Sequence, residues 1–461
     1  MPHSRGQRTA KESGGLIMDQ STIDADATET GKAGPDFDWE NCWYPVSFLE
    51  DLPRDRPSQV SIYDTGLVLF FDGSGQLNCL RDLCPHRMAR LSDGQIVDGR
   101  LECLYHGWQF DGAGDCQLIP QMLEGRDYPI RSCVQRYALE IVDGIVWVWA
   151  GAADMADASL IPAGRASGAE GVTAVTFQMD LPYDQSYLIE NVIDVAHIHI
   201  AHHGVRGGGL RQAASPLKFD IIHSGLDGIR ATYRHIGLHR DEDAPEMGAA
   251  HVAFVAPNLV RYTSEYADAD LVAGLDLFSL PMGKGRCRLL YRKYSNFTGL
   301  LERMKPRWLE HQSQILILEQ DMGVVVGQHR EIEAADRPLS KSWLPIKTSD
   351  RLVVEYRRWL DRHGAALPFY RGFTTARNSG VAPDEVNVPQ DRHRLHTAIC
   401  SSCQRLLRRI DLGIRALAAL SAAAAAVAIL SSGVGLRAAL VGVALLSLLA
   451  IAGLRHARNY L

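Results

Sequence analysis

The sequence Cys84-Pro-His86, followed after 16 residues by Cys103-Leu-Tyr-His106, decides the fold of the first half of this chain. The two pairs together offer two thiolates and two imidazoles, a set that a structural zinc site would also accept. Each pair, however, supplies one sulfur and one nitrogen ligand. That division suits a [2Fe-2S] cluster in which two cysteines bind one iron and two histidines bind the other. We therefore expect Cys84, His86, Cys103 and His106 to hold such a cluster, with zinc as the alternative.

The segment around this motif has the pattern of a small all-β domain, which we place at residues 37–160. Apolar residues over 66–72 predict a strand, and the sequence of 139–149 predicts a hairpin that turns at Asp143-Gly144. The preceding residues 1–36 are polar and contain no apolar run long enough for a signal peptide. We expect them to be disordered.

The composition excludes several classes of protein. Nine cysteines in 461 residues are too few for a disulfide scaffold, and a formal net charge of −6 argues against a dedicated nucleic-acid binder. This charge is unevenly distributed along the chain. Residues 391–461 contain nine arginines and two aspartates, a net charge of +7, so the remaining chain carries −13.

Two uncharged runs in this basic tail, of 21 and 17 residues, occupy 416–436 and 438–454. As helices they would be about 31 Å and about 25 Å long, compared with a hydrocarbon core of about 30 Å. We predict a transmembrane helical hairpin over 416–454, with Arg437 at its turn. Flanking arginines would place both ends on the cytoplasmic or stroma-equivalent side. The alternatives are alanine-rich core helices of a soluble domain, and a hairpin that dips into the membrane without crossing it.

Between these regions, residues 161–385 mix strand and helix patterns, which predicts an α+β catalytic domain built on a sheet with helices around it. Residues 386–415, which contain the pair Cys400-Ser-Ser-Cys403, would link this domain to the hairpin. The predicted strands lie near 253–262, 270–280 and 287–294, and the predicted helices cover 184–203, 306–326 and 349–363.

A second set of candidate metal ligands comes from four histidines between positions 197 and 203. Non-haem iron oxygenases bind iron through two histidines and one carboxylate, which leaves coordination positions open. Helical spacing alone favours His199 and His203, because residues four apart share one face of a helix. The pair His197 and His202 is five apart and would need a helix end or a π-bulge between them.

The two cysteine–histidine pairs match the Rieske motif C-x-H…C-x-x-H, and the chain from Phe37 onward resembles the pheophorbide a oxygenase family of Rieske oxygenases. The entry Phe37-Asp-Trp39…Trp43-Tyr-Pro-Val46, the segment Leu181-Pro-Tyr183, the pair Cys400 and Cys403, and the terminal hairpin carry this resemblance. It implies a Rieske domain followed by a catalytic domain with a mononuclear non-haem Fe(II).

The resemblance also implies a particular set of site residues. The string N-x-x-D-x-x-H-x-x-x-x-H, here Asn191, Asp194, His197 and His202, is similar to the iron motif of the family. The two histidines would bind iron, and Asp194 would connect one of them to a cluster histidine, typically across a subunit boundary in a trimer. The third ligand would come from Glu319-Gln-Asp321, where we assign Asp321. Glu319 and Glu310 are the alternatives for this carboxylate, and His199 and His203 would line the site.

The implied activity is that of a membrane-anchored monooxygenase that uses O2 and electrons from a separate ferredoxin or ferredoxin-type reductase. A separate donor is expected because the glycine-rich segment 204–209 follows a helix and therefore lacks the strand-first dinucleotide fingerprint. The substrate would be large and lipophilic, with a chlorophyll-derived tetrapyrrole favoured over a sterol-like or other polycyclic lipid. A non-enzymatic electron carrier or redox sensor is the second class of function. The N-terminus shows no obvious transit peptide, from which we expect a bacterial or cyanobacterial source.

The pair Cys400 and Cys403 leaves two interpretations open. The family resemblance implies a thioredoxin-sensitive redox switch beside the membrane. Alternatively, His393 or His396 could complete a small zinc site with the two cysteines.

Overall fold

The chain is described by a computed structural model that covers residues 23, 34–123, 125–162, 164, 171–236, 247–266, 271–335, 337–377 and 391–461. The segment 1–36, for which we predicted disorder, lies almost entirely outside these described residues.

The first domain consists of ten short strands in three antiparallel sheets, with strand orders β2-β3-β4, β5-β6-β7-β8 and β1-β10-β9. The predicted hairpin is present as β9 and β10, and the left-handed backbone of Asp143 and Gly144 (φ 55° and 75°) makes its tight turn. The strands are β1 (Trp43–Phe48), β2 (Ser58–Ile62), β3 (Thr65–Phe71), β4 (Leu77–Arg81), β5 (Gln95–Val97), β6 (Arg100–Glu102), β7 (Gln109–Phe110), β8 (Cys116–Leu118), β9 (Leu139–Val142) and β10 (Ile145–Trp149).

The second domain is built on a seven-stranded antiparallel sheet with the order β11-β17-β16-β15-β14-β13-β12. The strand predicted over 253–262 is in fact two strands that meet in a tight connection at 256–258, where Val255 pairs with Leu259. Pro257 explains the break, because proline offers no N–H to a ladder. The strands are β11 (Thr173–Leu181), β12 (Leu217–Gly225), β13 (Gly228–His235), β14 (Met247–Val255), β15 (Leu259–Tyr266), β16 (Ala273–Gly283) and β17 (Arg286–Ser295), and β18 (Tyr370–Arg371) and β19 (Ala376–Arg377) form a separate pair.

Helices surround this sheet and differ in two places from the sequence prediction. The helix predicted over 184–203 ends at Ile193 and resumes for only one turn, and the helix predicted to end at Val326 continues to Ala335. The helices are α1 (Gln185–Ile193), α2 (Ile198–Ala201), α3 (Leu300–Met304), α4 (Arg307–Ala335), α5 (Arg351–His363) and α6 (Arg392–Leu395).

One buried core joins the two domains. Tyr44 and Leu67 of the first domain belong to the same buried cluster as Phe177 of β11 and Leu188 of α1. Apolar burial of this kind is the main favourable contribution to folding. The sheet with its helices and the all-β domain therefore form the α+β architecture that the sequence predicted.

The C-terminal helices α7 (Ser401–Leu430) and α8 (Val434–Arg458) form an antiparallel hairpin, as predicted. Both are long and apolar enough to cross a membrane, and only 17% and 11% of their most apolar windows are buried inside the protein. This exposure argues against alanine-rich core helices. The predicted position of Arg437 at the turn is wrong, because residues 431–433 make the turn and Arg437 lies in the first turn of α8.

A buried ion pair ties α1, which precedes the candidate iron ligands, to α5. The Arg357 guanidinium donates to the Glu190 carboxylate over 2.6 Å and to the carbonyl of Arg371 over 2.7 Å. Both partners are buried, at 0% and 6% exposure. Burial raises the pKa of Glu190, although Arg357 and Gln328 act against this rise.

We predict that Arg357→Ala lowers the free energy of unfolding by about 3–5 kcal/mol, because it leaves the Glu190 carboxyl buried without its cation. The measurement is the urea denaturation curve of the purified full-length protein. Arg362→Ala is the matched control, since Arg362 pairs with Glu355 at 30% side-chain exposure and should change the stability by no more than about 1 kcal/mol. Equal shifts for the two variants would contradict the prediction.

Candidate metal centres

The first candidate centre lies between two loops of the all-β domain. The loop after β4 begins at Cys84, whose N–H donates to the carbonyl of Ala89, and the loop after β6 begins at Cys103, whose N–H donates to the carbonyl of Trp108. Both cysteines are 1% exposed, and their side chains are close enough for a hydrogen bond between the two thiols. Burial raises the pKa of Cys84 to about 11. Such a thiol becomes a thiolate when a metal displaces its proton.

The two histidines of these loops lie at the outer end of the same site. The rings of His86 and His106 are 4.4 Å apart between centroids, and His86 stacks on Trp108 at 4.8 Å. Gly107 has a φ of 72°, a left-handed conformation that favours glycine and allows the loop to turn after His106. Two buried sulfurs and two outer imidazoles fit a [2Fe-2S] cluster whose histidine-bound iron faces the surface.

Exposed apolar side chains surround this outer end. Met88, Leu104 and Tyr105 are 72%, 67% and 58% exposed. Apolar side chains grouped at a surface commonly mark a contact with another protein. The tip of the two loops therefore has the character of a protein-contact surface.

The second candidate centre combines the ends of the one-turn helix α2 with the middle of the long helix α4. His197 is the residue before α2, His202 is the residue after it, and Asp321 lies on α4. The Asp321 carboxylate is 3.3 Å from His202 Nε2 and 3.7 Å from His197 Nε2. Ligands at about 2.1 Å from one metal in adjacent positions are about 3 Å apart. The three side chains therefore fit a two-histidine, one-carboxylate iron site.

A polar side chain lies beside the outer ring nitrogen of each histidine of this set. His202 Nδ1 is 3.0 Å from the Gln320 side-chain oxygen, so this nitrogen donates its hydrogen and Nε2 is left to bind a metal. His197 Nδ1 is 3.5 Å from Asp194. Burial lowers the pKa of His197, but the neighbouring carboxylates of Asp194 and Asp321 outweigh this effect and raise it. Gln320 stands between Glu319 and Asp321 in the sequence motif, and the motif alone does not indicate its contact with His202.

The other candidates for this centre are placed elsewhere. Glu319 accepts hydrogen bonds from Arg392, and Glu310 pairs with Lys305. His203 is exposed and accepts a hydrogen bond from the N–H of Arg211, and the His199 ring lies beside His235 instead. The helix break after Ile193 and the ends of α2 explain why the i,i+5 pair converges while the i,i+4 pair does not.

A cavity of about 480 Å³ opens onto this centre. Its lining includes Asn191, Asp194, His197, Asp321, Trp343 and Leu344. The cavity therefore gives Asp194, His197 and Asp321 access to another molecule.

The structure brings a third group of ligand-type side chains together around the pair Cys400 and Cys403. His396 and His311 lie within contact distance of these cysteines, and all four side chains are buried. His393, which the sequence analysis considered together with His396, is exposed. His311 was missed, because it lies 85 residues before His396 on α4 and belongs to no local motif.

Comparisons with known proteins agree with this architecture. Residues 42–137 match the model of the Rieske [2Fe-2S] domain, and residues 254–338 match that of pheophorbide a oxygenase. The chain is 32% identical to Protein TIC 55 of Arabidopsis thaliana, covering 86% of this chain and 77% of the relative. It is also 32% identical to the pheophorbide a oxygenase of Arabidopsis thaliana, covering 90% and 81%. In fold it is similar to dicamba monooxygenase bound to dicamba, with a TM-score of 0.58, 23% identity, and coverage of 70% and 96%.

The source organisms of these relatives contradict the source that we expected for this protein. Both, like the TIC 55 protein of Pisum sativum, are chloroplastic plant proteins, so the expectation of a bacterial or cyanobacterial protein is wrong. That expectation was based on the composition of the first residues, which lie almost entirely outside the described part of the chain. The composition of this segment does not separate the two kinds of source.

We predict that Gln320→Ala weakens Fe(II) binding by about 10–100-fold, because His202 loses the acceptor that fixes its tautomer and ring orientation. Metal titration of the iron-depleted protein measures this change. The control is Glu331→Ala, which alters an exposed residue of the same helix and should leave the affinity unchanged. Unaltered affinity in the Gln320 variant would show that this contact does not orient the ligand.

Proposed function

The chain belongs to the pheophorbide a oxygenase family of Rieske non-haem iron oxygenases, and from that premise we propose that it oxygenates a chlorophyll-derived tetrapyrrole. It would use O2 and electrons from a separate ferredoxin or ferredoxin-type reductase. The observation that carries this proposal is the convergence of His197, His202 and Asp321 beside an open cavity. An electron carrier or redox sensor needs only the cluster and has no use for this second site.

We assign the cluster four ligands, which are Cys84, His86, Cys103 and His106. The proposed ligands of the mononuclear iron are His197, His202 and Asp321. When bound, the cluster supplies single electrons and the iron supplies the site where O2 is activated. Gln320 would orient His202 through its hydrogen bond, and the Asp194 carboxylate lies 3.5 Å from the outer nitrogen of His197. The residues that line the cavity would position the substrate.

Asp194 is proposed to join the two centres across a subunit boundary in a homotrimer. Its Oδ1 accepts a hydrogen bond from the N–H of Ala196, and its other oxygen faces His197. The side chain is still 24% exposed, which leaves it able to accept a hydrogen bond from a partner's imidazole. The exposed apolar rim formed by Met88, Leu104 and Tyr105 supports docking of the His86 and His106 tip on a neighbouring protein.

The hairpin of α7 and α8 is proposed to anchor the enzyme in a membrane. Its exposed surface is apolar over most of both helices. Arginines lie near the start of α7 and the end of α8, opposite the turn, at positions 405, 408, 409, 455 and 458. A substrate that partitions into lipid would be concentrated at such a surface. A sterol-like or other polycyclic lipid is the alternative substrate, because the cavity beside the iron site does not by itself select a ring system.

The direct test of oxygenase function is His202→Ala in the full-length protein. With pheophorbide a, O2 and a ferredoxin reducing system, we expect loss of oxygenated product and of mononuclear iron, while the visible spectrum of the Rieske cluster remains. His203→Ala is the matched control, because His203 is exposed beside the same segment and should retain activity. Product formation by an His202 variant whose iron site is empty would overturn the oxygenase assignment.

The substrate proposal is tested separately by giving the active enzyme pheophorbide a, chlorophyllide a or a sterol. Incorporation of labelled oxygen from O2 into a tetrapyrrole supports the proposal. Turnover of the sterol alone would retain the oxygenase and replace the substrate.

Membrane anchoring predicts that the full-length protein floats with liposomes and that the double variant Leu446→Arg/Leu449→Arg does not. These side chains are 66% and 69% exposed at the middle of α8, where each arginine would cost about 2.5–3.5 kcal/mol in a membrane. The control is Leu160→Arg, since Leu160 is 60% exposed outside the hairpin. Equal flotation of both variants would contradict a membrane-embedded hairpin.

A further inference from the structure

The four side chains around the CxxC pair come from three separate segments. His311 lies near the start of α4, His396 follows α6, and Cys400 and Cys403 lie at the start of α7. Each of the four is 0% exposed. Their ligand atoms all lie within 4.8 Å of one another. Neither of the two metal centres described above uses any of these residues.

The distances among these atoms correspond to one coordination tetrahedron. Cys400 Sγ and Cys403 Sγ are each 3.5 Å from His311 Nδ1, and Cys403 Sγ is 3.3 Å from His396 Nε2. Zinc bonds of about 2.3 Å to sulfur and about 2.0–2.1 Å to nitrogen separate neighbouring sulfur and nitrogen ligands by about 3.5 Å. Three of the four sulfur–nitrogen edges of the tetrahedron are therefore already at the required length, and the fourth, between Cys400 and His396, lies within 4.8 Å.

Both histidines are held in the tautomer that metal binding requires. His311 Nε2 donates to the carbonyl of Thr176 over 2.8 Å, and His396 Nδ1 donates to the carbonyl of Gln178 over 2.7 Å. Because the two carbonyls accept these hydrogens, the lone pairs of His311 Nδ1 and His396 Nε2 point toward the cysteines. Hydrogen bonds from the outer nitrogen to backbone carbonyls are characteristic of metal-binding histidines.

We propose that His311, His396, Cys400 and Cys403 form a structural zinc site. Two thiolates balance the charge of Zn²⁺, so the buried group is neutral overall. Thiolate and imidazole ligands select zinc over magnesium or calcium, which take oxygen ligands. Four protein ligands with no exposed sulfur correspond to a closed structural site rather than a catalytic one.

This assignment replaces the redox-switch interpretation of the CxxC pair. A thioredoxin-type reductant must reach a sulfur atom, and both sulfurs are completely buried. A disulfide would also leave the inward nitrogens of His311 and His396 buried without a hydrogen-bond donor or a metal. Burying such groups unpaired is unfavourable.

The site has a structural consequence for the hairpin. It connects the start of α7 to β11 and to α4, the helix that also carries Asp321. The N–H of Ser401 donates to buried Asp51 over 2.9 Å, which fastens the same helix start to the first domain. Zinc at this position would fix the angle at which the hairpin leaves the catalytic domain.

The first experiment measures metals in the purified full-length protein and in two variants. We expect one zinc per chain, lost in both Cys403→Ser and His311→Ala, while the Rieske electron paramagnetic resonance signal is retained. Cys133→Ser is the matched control, because Cys133 is exposed and should keep the zinc. Zinc that persists in both ligand variants, or that is absent from the native protein, would overturn the proposal.

A second experiment does not depend on the variants being folded. X-ray absorption at the zinc edge of the native protein should show two sulfur and two nitrogen neighbours. A shell without sulfur would contradict the site, as would mass analysis that finds Cys400 and Cys403 joined as a disulfide in the isolated native protein.

Discussion

The carboxylate of Asp321, on the middle of helix α4, is the contact on which the rest of the site depends. It faces both histidines at the ends of α2 and so joins a long, regular helix to a segment with only one helical turn. Helix α4 is itself held along its length, by His311 at β11 near its start and by Glu333, which pairs with Arg371, near its end. Because α4 is fixed at both ends, it places the Asp321 carboxylate where both histidines converge on it.

Features that depend on a short stretch of neighbouring residues could be predicted from the sequence. The cluster pairs Cys84/His86 and Cys103/His106 are short motifs whose chemistry can be recognised from residue type and spacing alone. The choice of His197 and His202 over His199 and His203 depended on family resemblance, because ideal helix spacing favours the other pair. The structure supplies the physical reason, since the helix stops at Ile193 and turns only once more before His202.

Features that depend on long-range packing could not be predicted. His311 meets Cys400 and Cys403 because α4 and His396, just before α7, both hydrogen-bond to β11. The 85 residues between His311 and His396 hide this contact from local sequence patterns. The role of Gln320 depends on its distance from His202 in the folded chain.

The turn of the C-terminal hairpin was predicted at the wrong residue. A charged residue was taken to mark the turn, whereas Ser431, Ser432 and Gly433 end one helix and allow the next to begin.

The proposed oxygenase gives Asp194 the role of coupling the reduced cluster to the iron site. The most direct measurement is stopped-flow recovery of the oxidised-cluster absorbance when the pre-reduced, iron-loaded enzyme meets O2 and pheophorbide a. We expect Asp194→Asn, with both metal contents unchanged, to slow this recovery by at least about 10-fold, whereas the exposed control Asp154→Asn recovers at the native rate. Native-rate recovery and full product yield in the Asp194 variant would contradict the account.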